Sequence, residues 1–206
     1  MQSLKEIKVV SWDVDGTLYD SRALRPAVAR RIAGALASGR WKSARLAGKA
    51  LREHKATDRR VRTSGGEVDA EALAFWNGPL WSAFMDDFML PALKELGPRP
   101  GLVKLLSDIA SSGRAQVVVS DFDAERKLQA LGVAPFFPRV FSGTRLGVLK
   151  PHPRVMSSVL AQLGVAGGAV VHVGDRLDTD DAAARGAGMA SVHLGELSAV
   201  RTALQI

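Results

Sequence analysis

The stretch Val9-Val10-Ser11-Trp12-Asp13-Val14-Asp15-Gly16-Thr17-Leu18 organises the rest of the chain. It is a short apolar run that ends in two carboxylates. Because alternate side chains of a strand share a face, Asp13 and Asp15 lie on one side, and Gly16 permits the turn that ends the strand. Carboxylates this close repel each other unless a cation joins them, and their oxygens favour Mg²⁺. Alone, the pair would indicate a solvated acidic turn, but similar polar signals follow later apolar runs.

The composition indicates a water-soluble protein with a substantial core. The chain has 206 residues, of which 47% are hydrophobic, enough for one large domain or a domain with an insertion. It contains no cysteine, which excludes disulfides and cysteine metal sites. No apolar run approaches the length of a membrane span. Lys5 and Glu6 precede an apolar run that leads directly to Asp13, so we expect no cleavable signal and a cytoplasmic location.

The positive charge belongs to one segment of the chain. The formal net charge is +7. Residues 20–66 contain thirteen Arg or Lys residues against three acidic ones, which makes this segment +10 and the remainder −3. A basic segment of this kind points to an anionic ligand or to a solvated helix face, and not to a generally basic protein.

A helical insertion is predicted directly after the first strand. Residues 7–12 read as a buried strand of a parallel sheet. Residues 20–97 show no strand pattern. Their apolar residues recur at helical spacing, and Pro26 suits the first turn of a helix. The predicted helices cover residues 26–39, 41–55 and 67–96, the last divided at Pro79 and Pro91.

From residue 100 the pattern alternates between helix and strand. The predicted strands are residues 115–119, 140–141, 169–173 and 190–194, and the predicted helices are residues 101–111, 124–131, 153–163, 181–185 and 198–205. Such alternation predicts an α/β fold, a Rossmann-like parallel sheet with helices on both faces. The sequence therefore predicts an α/β core domain of residues 1–19 and 98–206 and an inserted all-helical domain of residues 20–97.

Polar residues follow several of these strands. In an open parallel sheet, ligands bind beyond the carboxyl ends of the strands. The second strand delivers Ser120 and Asp121, a later one delivers Asp175 with Asp180 close behind, and Lys150 precedes a proline in a loop. Acids from neighbouring strands can hold Mg²⁺, a hydroxyl and a lysine can hold phosphate oxygens, and a carboxylate facing phosphorus can act as a nucleophile.

These residues resemble the four motifs of the haloacid dehalogenase-like (HAD) hydrolase superfamily. The matching positions, in the family's order and at strand ends, are Asp13-Val14-Asp15-Gly16-Thr17, Ser120, Lys150, and Gly174-Asp175 with Asp180. The resemblance covers essentially the whole chain, and residues 20–97 look like the family's helical cap of the C1 type. Taken jointly the motifs are highly specific, whereas singly only the first would be suggestive.

The resemblance implies a role for each matching residue. Asp13 would be the nucleophile, and Asp15 the general acid and base. Lys150 would neutralise the nucleophile and the phosphoryl oxygens. The implied phosphate-binding residues are Ser120, Asp121 and Lys150. The implied metal ligands are Asp13, the Asp15 carbonyl and Asp175, with Asp180 supporting them from behind.

Two positions depart from the family's pattern. Asp121 stands where many relatives have Asn, and Asp181 stands where an apolar residue is common. Neither departure falls on an essential position. Both make assignment of the substrate by analogy less safe, because each adds a negative charge near the predicted site.

We therefore predict a Mg²⁺-dependent phosphatase that hydrolyses a small phosphate monoester through an aspartyl-phosphate. A phosphomutase of the same family shares every core motif and stays open. A dehalogenase is disfavoured, because the residue two after its nucleophile is not typically Asp, and Asp15 stands there. A non-enzymatic polyanion-binding protein on this scaffold ranks lower, because every catalytic position is filled.

The expected partner is a small phosphorylated metabolite. We predict that one or two arginines of residues 22–62 face the cleft and favour a substrate with a second anionic group. We expect no membrane partner, and a nucleic-acid partner is disfavoured. The sequence does not identify the substrate or the oligomeric state.

Overall fold

Five parallel strands form one sheet in the order β3-β2-β1-β4-β5. The computed structural model describes residues 7–206, so residues 1–6 of the predicted core, with Lys5 and Glu6, lie outside the described residues. Within the sheet, Ser11 of β1 lies opposite Val117 of β2 and His172 of β4. The strands are β1 Val9–Trp12, β2 Ala115–Ser120, β3 Arg139–Ser142, β4 Val170–Gly174 and β5 Ala190–His193.

The central strand is buried on both faces. Val10 and Trp12 of β1 join a large apolar cluster on one side of the sheet, whereas Val9 joins a second cluster on the other side. Alternation along the strand produces this division, because successive side chains leave a strand in opposite directions. The helices flanking the sheet are α6 Leu102–Ser111, α7 Glu125–Ala130, α8 Gly143–Leu146, α9 Pro153–Leu163, α10 Ala182–Gly186 and α11 Leu197–Leu204.

The insertion after β1, residues 20–97, is helical as predicted. Its α-helices are α1 Ser21–Ala37, α2 Trp41–Thr63, α3 Ala70–Trp76, α4 Pro79–Phe84 and α5 Leu90–Leu96. A π-helical turn, Met85–Met89, joins α4 to α5. Within residues 7–206, the insertion pairs with the rest of the chain in a strand-like manner at one isolated antiparallel bridge, between Glu67 and Val148. The predicted fold class, an α/β parallel sheet with helices around it and a helical insertion, is confirmed.

Two helix boundaries lie more than three residues from the predicted positions. The Asp20 carboxylate accepts a hydrogen bond of 2.8 Å from the Arg22 backbone N–H, so α1 begins at Ser21. Pro26 therefore lies inside α1 and not in its first turn. Helix α2 continues to Thr63 and not to residue 55, because residues 56–64 contain no glycine or proline that would end it. The short helix α8 was not predicted.

In the part of the chain that the structure describes, no helix combines enough length with enough apolar character to cross a bilayer.

Candidate active site

A cleft of about 470 Å³ lies beyond the carboxyl ends of β1, β2 and β4. One wall comes from the strand ends and the loops that follow them, and the other from helices of the insertion. Five of the residues predicted from strand ends line it, together with Lys150 from a loop: Asp13, Asp15, Asp121, Asp175 and Asp180. The parallel register explains their meeting, because it brings the ends of adjacent strands to one edge of the sheet.

Two carboxylates follow β1, and Asp13 is more enclosed than Asp15, with 7% of its surface exposed. Its Oδ1 accepts from Lys150 Nζ at 2.7 Å, and its Oδ2 accepts from Thr17 Oγ1 at 3.1 Å. Burial is the main cause that raises the pKa of Asp13 to about 7; Lys150 opposes the shift, and the charges of Asp180 and Asp15 add to it. Both Asp13 oxygens are thus held in fixed directions.

Lys150 donates to three buried oxygens. These are Asp13 Oδ1 at 2.7 Å, Asp180 Oδ1 at 2.6 Å and the Val119 carbonyl at 3.0 Å. Burial alone would lower the pKa of Lys150, but the two carboxylates outweigh it and raise that pKa. Burial likewise pushes the pKa of Asp180 up, but Lys150 and then His172 bring it well below its usual range. The Lys150 ammonium group therefore forms ion pairs with both the Asp13 and the Asp180 carboxylates.

Asp15 faces a different cation. Lys127 of α7 donates to both Asp15 oxygens at 2.6 Å, and the Tyr19 hydroxyl also bonds Asp15 Oδ1. Burial by itself would raise the pKa of Asp15, but the charge and hydrogen bonds of Lys127 lower it overall. The second carboxylate of the motif is thus paired separately from the first.

The carboxylates of Asp13, Asp175 and Asp180 form a cluster that fits a cation. One oxygen from each lies within 4.8 Å of the others. Asp175 Oδ1 is buried without a hydrogen-bond partner among residues 7–206, and burial raises the pKa of Asp175. Gly16 has φ +92°, and a Cβ there would overlap the Asp175 carboxylate. An oxygen-only set with an unpaired buried carboxylate oxygen is the donor chemistry that Mg²⁺ takes.

Ser120, the last residue of β2, and Asp121, which follows it, differ in their surroundings. Ser120 Oγ is buried and has no hydrogen-bond partner within the described chain. Asp121 Oδ1 accepts from the Lys150 backbone N–H at 2.7 Å, and its Oδ2 accepts from Arg62 at 2.8 Å. Ser120 therefore has a free hydroxyl, whereas the Asp121 carboxylate is already engaged by protein groups. Phosphate binding by either residue stays a prediction.

Arg62 connects the insertion to the sheet. From the end of α2 its guanidinium donates to Asp58 at 2.9 Å, to the Lys150 carbonyl at 2.7 Å and to Asp121 at 2.8 Å. Burial alone would lower the pKa of Arg62, but Asp121 and Asp58 raise it overall. The planar fork of an arginine suits three acceptors in different directions.

Comparison with known proteins assigns the chain to a protein family. A family model described as haloacid dehalogenase-like hydrolase matches residues 7–188. The chain belongs to this family. The match confirms the resemblance found in the motifs and makes the protein a HAD-like hydrolase.

Relatives of this HAD-like hydrolase include named phosphatases. Phosphoglycolate phosphatase of Yersinia pseudotuberculosis is 30% identical over 210 residues, which cover 94% of this chain and 83% of that protein. Glyceraldehyde 3-phosphate phosphatase of Methanocaldococcus jannaschii is 32% identical over 102 residues, or 48% of this chain and 45% of that protein. The chain therefore spans about half the length of that archaeal relative.

The fold also matches solved structures. A HAD-hydrolase of Bacillus subtilis, solved bound to magnesium, has a TM-score of 0.66 and 16% sequence identity, and the match covers 97% of this chain and 99% of that one. At this level of identity, the similarity shows the fold alone.

Several residues of the HAD-like site were missed at the level of sequence. Thr17 was quoted within the first motif, but its bond to Asp13 was not foreseen. Tyr19 lies four residues after Asp15, within reach in a turn, and this spacing could have suggested their contact. Lys127 gave no signal, because its position depends on how α7 packs against the sheet. Arg62 belongs to the segment in which one or two cleft-facing arginines were predicted, but its bonds to Lys150 and Asp121 were not foreseen.

Proposed function

We propose that this HAD-like hydrolase is a Mg²⁺-dependent phosphatase that hydrolyses a small phosphate monoester through an aspartyl-phosphate. One observation carries the proposal: Asp13, held by Lys150 and Thr17, shares a cleft with Asp15 and with the unpaired oxygen of Asp175. A fixed nucleophile, a second carboxylate for proton transfer and a cation-binding cluster are the groups that such a reaction needs.

In the first half-reaction, an oxygen of Asp13 attacks the phosphorus of the monoester. A P–O bond forms to Asp13 while the P–O bond to the leaving group breaks. The protonated form of Asp15 gives its proton to the departing oxygen, which leaves as an alcohol. Because Lys127 lowers the pKa of Asp15, that protonated form is a stronger acid than an ordinary aspartic acid.

In the second half-reaction, water attacks the phosphorus of the aspartyl-phosphate. Asp15, now ionised, takes a proton from the water as the new P–O bond forms. The bond from phosphorus to Asp13 breaks, which releases inorganic phosphate and restores the Asp13 carboxylate and the protonated form of Asp15. Water thus supplies the oxygen and the proton that balance the overall hydrolysis.

Neighbouring groups position the reacting phosphoryl group in this proposal. The Ser120 hydroxyl, free of other partners, donates to a phosphoryl oxygen, and Lys150 offsets negative charge at Asp13. Asp13, the Asp15 carbonyl and Asp175 would hold Mg²⁺, with Asp180 fixing Lys150 behind them. When bound there, Mg²⁺ would neutralise negative charge on the phosphoryl group that is transferred.

The substrate in this proposal is a small phosphate carrying a second anionic group. Three arginines line the cleft. Arg62 is paired with Asp121, and Arg176 with Asp178, whereas Arg25 extends exposed from α1. A relative acting on phosphoglycolate, whose name specifies a phosphate and a carboxylate, fits this charge distribution.

We further propose that residues 20–97 act as a cap domain over a core of residues 1–19 and 98–206. The cleft wall supports this division. The insertion contributes Arg25, His54, Arg62 and Trp81, and the strand ends contribute the reactive carboxylates. In this arrangement the chemistry belongs to one domain and selection of the substrate to the other.

A phosphate-release assay with purified protein tests the proposed function. The substrates are 2-phosphoglycolate, glyceraldehyde 3-phosphate and p-nitrophenyl phosphate, each with Mg²⁺ and then with excess chelator. We expect Mg²⁺-dependent turnover, highest for 2-phosphoglycolate. Phosphate release equal to that of the Asp13→Asn variant on every substrate would contradict the proposal. Conversion of a sugar phosphate only when a sugar bisphosphate is added would indicate the phosphomutase instead.

A further inference from the structure

His54 of α2 lines the cleft with its ring in a defined tautomer. Its Nδ1 lies 3.1 Å from Trp76 Nε1. An indole N–H can only donate a hydrogen bond, so Nδ1 must accept it and carries no proton. Burial also lowers the pKa of His54, which favours the neutral ring. The one N–H of the imidazole is therefore on Nε2.

Aromatic rings from both sides of the cleft fix the position of this imidazole. Trp81 stacks on it, with ring centroids 4.5 Å apart and an interplanar angle of 20°. Phe122, two residues beyond Ser120, meets it edge-on at 5.1 Å and 66°. His54, Trp81 and Phe122 all line the cleft that holds Asp13 and Asp15. The imidazole is thus held against both the insertion and the loop after β2.

The Nε2–H group has no acceptor in the described part of the protein. Residues 7–206 provide a hydrogen bond to Nδ1 but none to Nε2, and Nε2 is not among the fully enclosed unpaired atoms. The donor is therefore accessible, on a residue that lines the cleft. Near the ring, the carboxylates of Asp58 and Asp15 are paired with Arg62 and Lys127 respectively. A rigid, accessible and unpaired donor beside a reactive carboxylate has the properties of a substrate contact.

We propose that His54 is a specificity-determining residue whose Nε2–H donates to an oxygen acceptor in the substrate's leaving group. The acceptor is a carboxylate, carbonyl or hydroxyl oxygen attached near the reacting phosphate. This inference rests on the proposed phosphatase function, because it places the leaving group on the Asp15 side of the cleft.

The chemistry explains why such a contact discriminates between substrates. A leaving group that has an acceptor oxygen satisfies Nε2–H when the substrate covers it. A plain alkyl group displaces water from Nε2–H and offers it no hydrogen-bond partner. The desolvated, unpaired donor then makes the free energy of binding less favourable. Because the Trp76 bond excludes the other tautomer, His54 does not present a bare Nε2 that would favour donor groups instead.

The test compares substrates with and without the acceptor. Wild type and His54→Phe are assayed with 2-phosphoglycolate, glyceraldehyde 3-phosphate and ethyl phosphate, which lacks an acceptor beyond its phosphate. Phenylalanine keeps a ring between Trp81 and Phe122 but removes the N–H. We expect kcat/KM for the first two substrates to fall about tenfold and for ethyl phosphate to stay within about twofold. His54→Gln, which retains an N–H donor, should recover part of the loss.

Further variants separate a substrate contact from a structural role. The exposed His193→Gln is the matched control and should leave all three values unchanged. If His54→Phe does not fold, Trp76→Phe takes its place: it frees Nδ1 and should reduce kcat/KM selectively for the two acceptor-bearing substrates. NMR of the imidazole nitrogens in wild type should show Nε2 protonated and Nδ1 bare.

Three outcomes would overturn the inference. They are an equal loss on all three substrates in the folded variant, no loss on any of them, or a wild-type imidazole protonated on Nδ1. Absence of turnover by the wild type on every substrate would instead contradict the proposed function. The NMR assignment still tests the tautomer in that case, so the two failures are distinguishable.

Discussion

Asp13 and Asp15 lie two residues apart, yet each carboxylate contacts a different lysine. Lys150 bonds Asp13, and Lys127 bonds both oxygens of Asp15. Burial raises the pKa of Asp13 to about 7, whereas Lys127 overcomes burial and lowers the pKa of Asp15. The raised pKa of Asp13 opposes ionisation of the proposed nucleophile, and a cation bound beside Asp13 would lower that pKa and favour the carboxylate.

The substitution Asp13→Asn tests the nucleophile. The amide keeps the size of the side chain and can still accept from Thr17, but it cannot form the aspartyl-phosphate. We expect turnover to fall on the order of 10³-fold or more. Steady-state phosphate release, measured on protein free of host phosphatase and with a native circular dichroism spectrum, checks this. Near-normal turnover would rule out a covalent role for Asp13.

The substitution Lys127→Met tests the ion pair with Asp15. The Lys127 side chain is 5% exposed and that of Asp15 is 37% exposed, so solvent screens part of the interaction. We expect a loss of about 1–2 kcal/mol in the free energy of unfolding at pH 7, and a smaller loss for Lys127→Arg. Urea titration measures both values.

The pH dependence of that loss has a definite sign. The pKa of Asp15 is lower in the folded protein than in the unfolded chain, so the pair adds stability above the unfolded pKa and loses it as the pH falls through the folded pKa. The difference between wild type and Lys127→Met should therefore be largest near neutral pH and shrink below about pH 4. A difference that grows on acidification would show that Asp15 is not the partner that matters.

Among the elements, α2 makes the link between the insertion and the sheet. Arg62 at its end bonds the Lys150 carbonyl and Asp121, while Asp121 bonds the Lys150 backbone N–H. The helix, the loop after β2 and the loop bearing Lys150 thus share one network. The Asp121 carboxylate supplies the charge that pairs with Arg62.

A double-mutant cycle tests this link. Arg62→Gln should cost about 1–3 kcal/mol, because Asp121, with 13% of its side chain exposed, loses its cation. Asp121→Asn should cost less, since an amide oxygen can still accept from Lys150. The double variant should lose less than the sum, with a coupling of about 1 kcal/mol. Additive losses would mean that the two residues act independently. Chemical denaturation measures the free energy of unfolding of wild type, both single variants and the double variant.

The elements also show what the sequence could predict. The carboxyl ends of β1, β2 and β4 were predicted to within one residue, because apolar runs followed by Asp or Ser mark where parallel strands end. The contacts of Lys127 and Arg62 could not be predicted, since they depend on the packing of α7 and α2. The π-helical turn Met85–Met89 gave no signal either, because its residues fit an α-helical spacing equally well.

At the scale of the whole molecule, binding of Mg²⁺ should couple to stability. The cleft gathers Asp13, Asp175 and Asp180 within 4.8 Å, and a cation there relieves their mutual repulsion. We expect Mg²⁺ at about 100 times its Kd to raise the free energy of unfolding by about 2.7 kcal/mol, with reversal by chelator. Thermal unfolding at constant ionic strength measures the shift.

Variants of two aspartates make the Mg²⁺ prediction specific. Asp175→Asn should lose most of the shift. Asp178→Asn, an exposed carboxylate that pairs with Arg176, should keep it. An equal shift in both variants would place the ion elsewhere.

The last prediction concerns the uneven charge of the chain, +10 in residues 20–66 and −3 in the rest. Half of the Arg and Lys side chains of α2, namely Arg52, Lys55, Arg59 and Arg60, line a separate shallow groove, whereas Arg25 lines the cleft. Long-range attraction of an acidic substrate should therefore be shared by the whole segment, but direct binding should belong to Arg25. Arg25→Gln should lower kcat/KM for 2-phosphoglycolate about tenfold and leave p-nitrophenyl phosphate within about twofold, because a charge-assisted bond to the second anion is lost.

Arg30→Gln, on the exposed side of the same helix, is the control with the same change of charge. It should reduce kcat/KM only slightly, and that reduction should disappear at about 0.5 M salt, where screening is short-ranged. The loss in Arg25→Gln should persist there, because a direct contact is screened much less than a distant one. Equal losses in the two variants at low salt, both abolished by salt, would mean that the basic segment only steers the substrate and that Arg25 does not bind it.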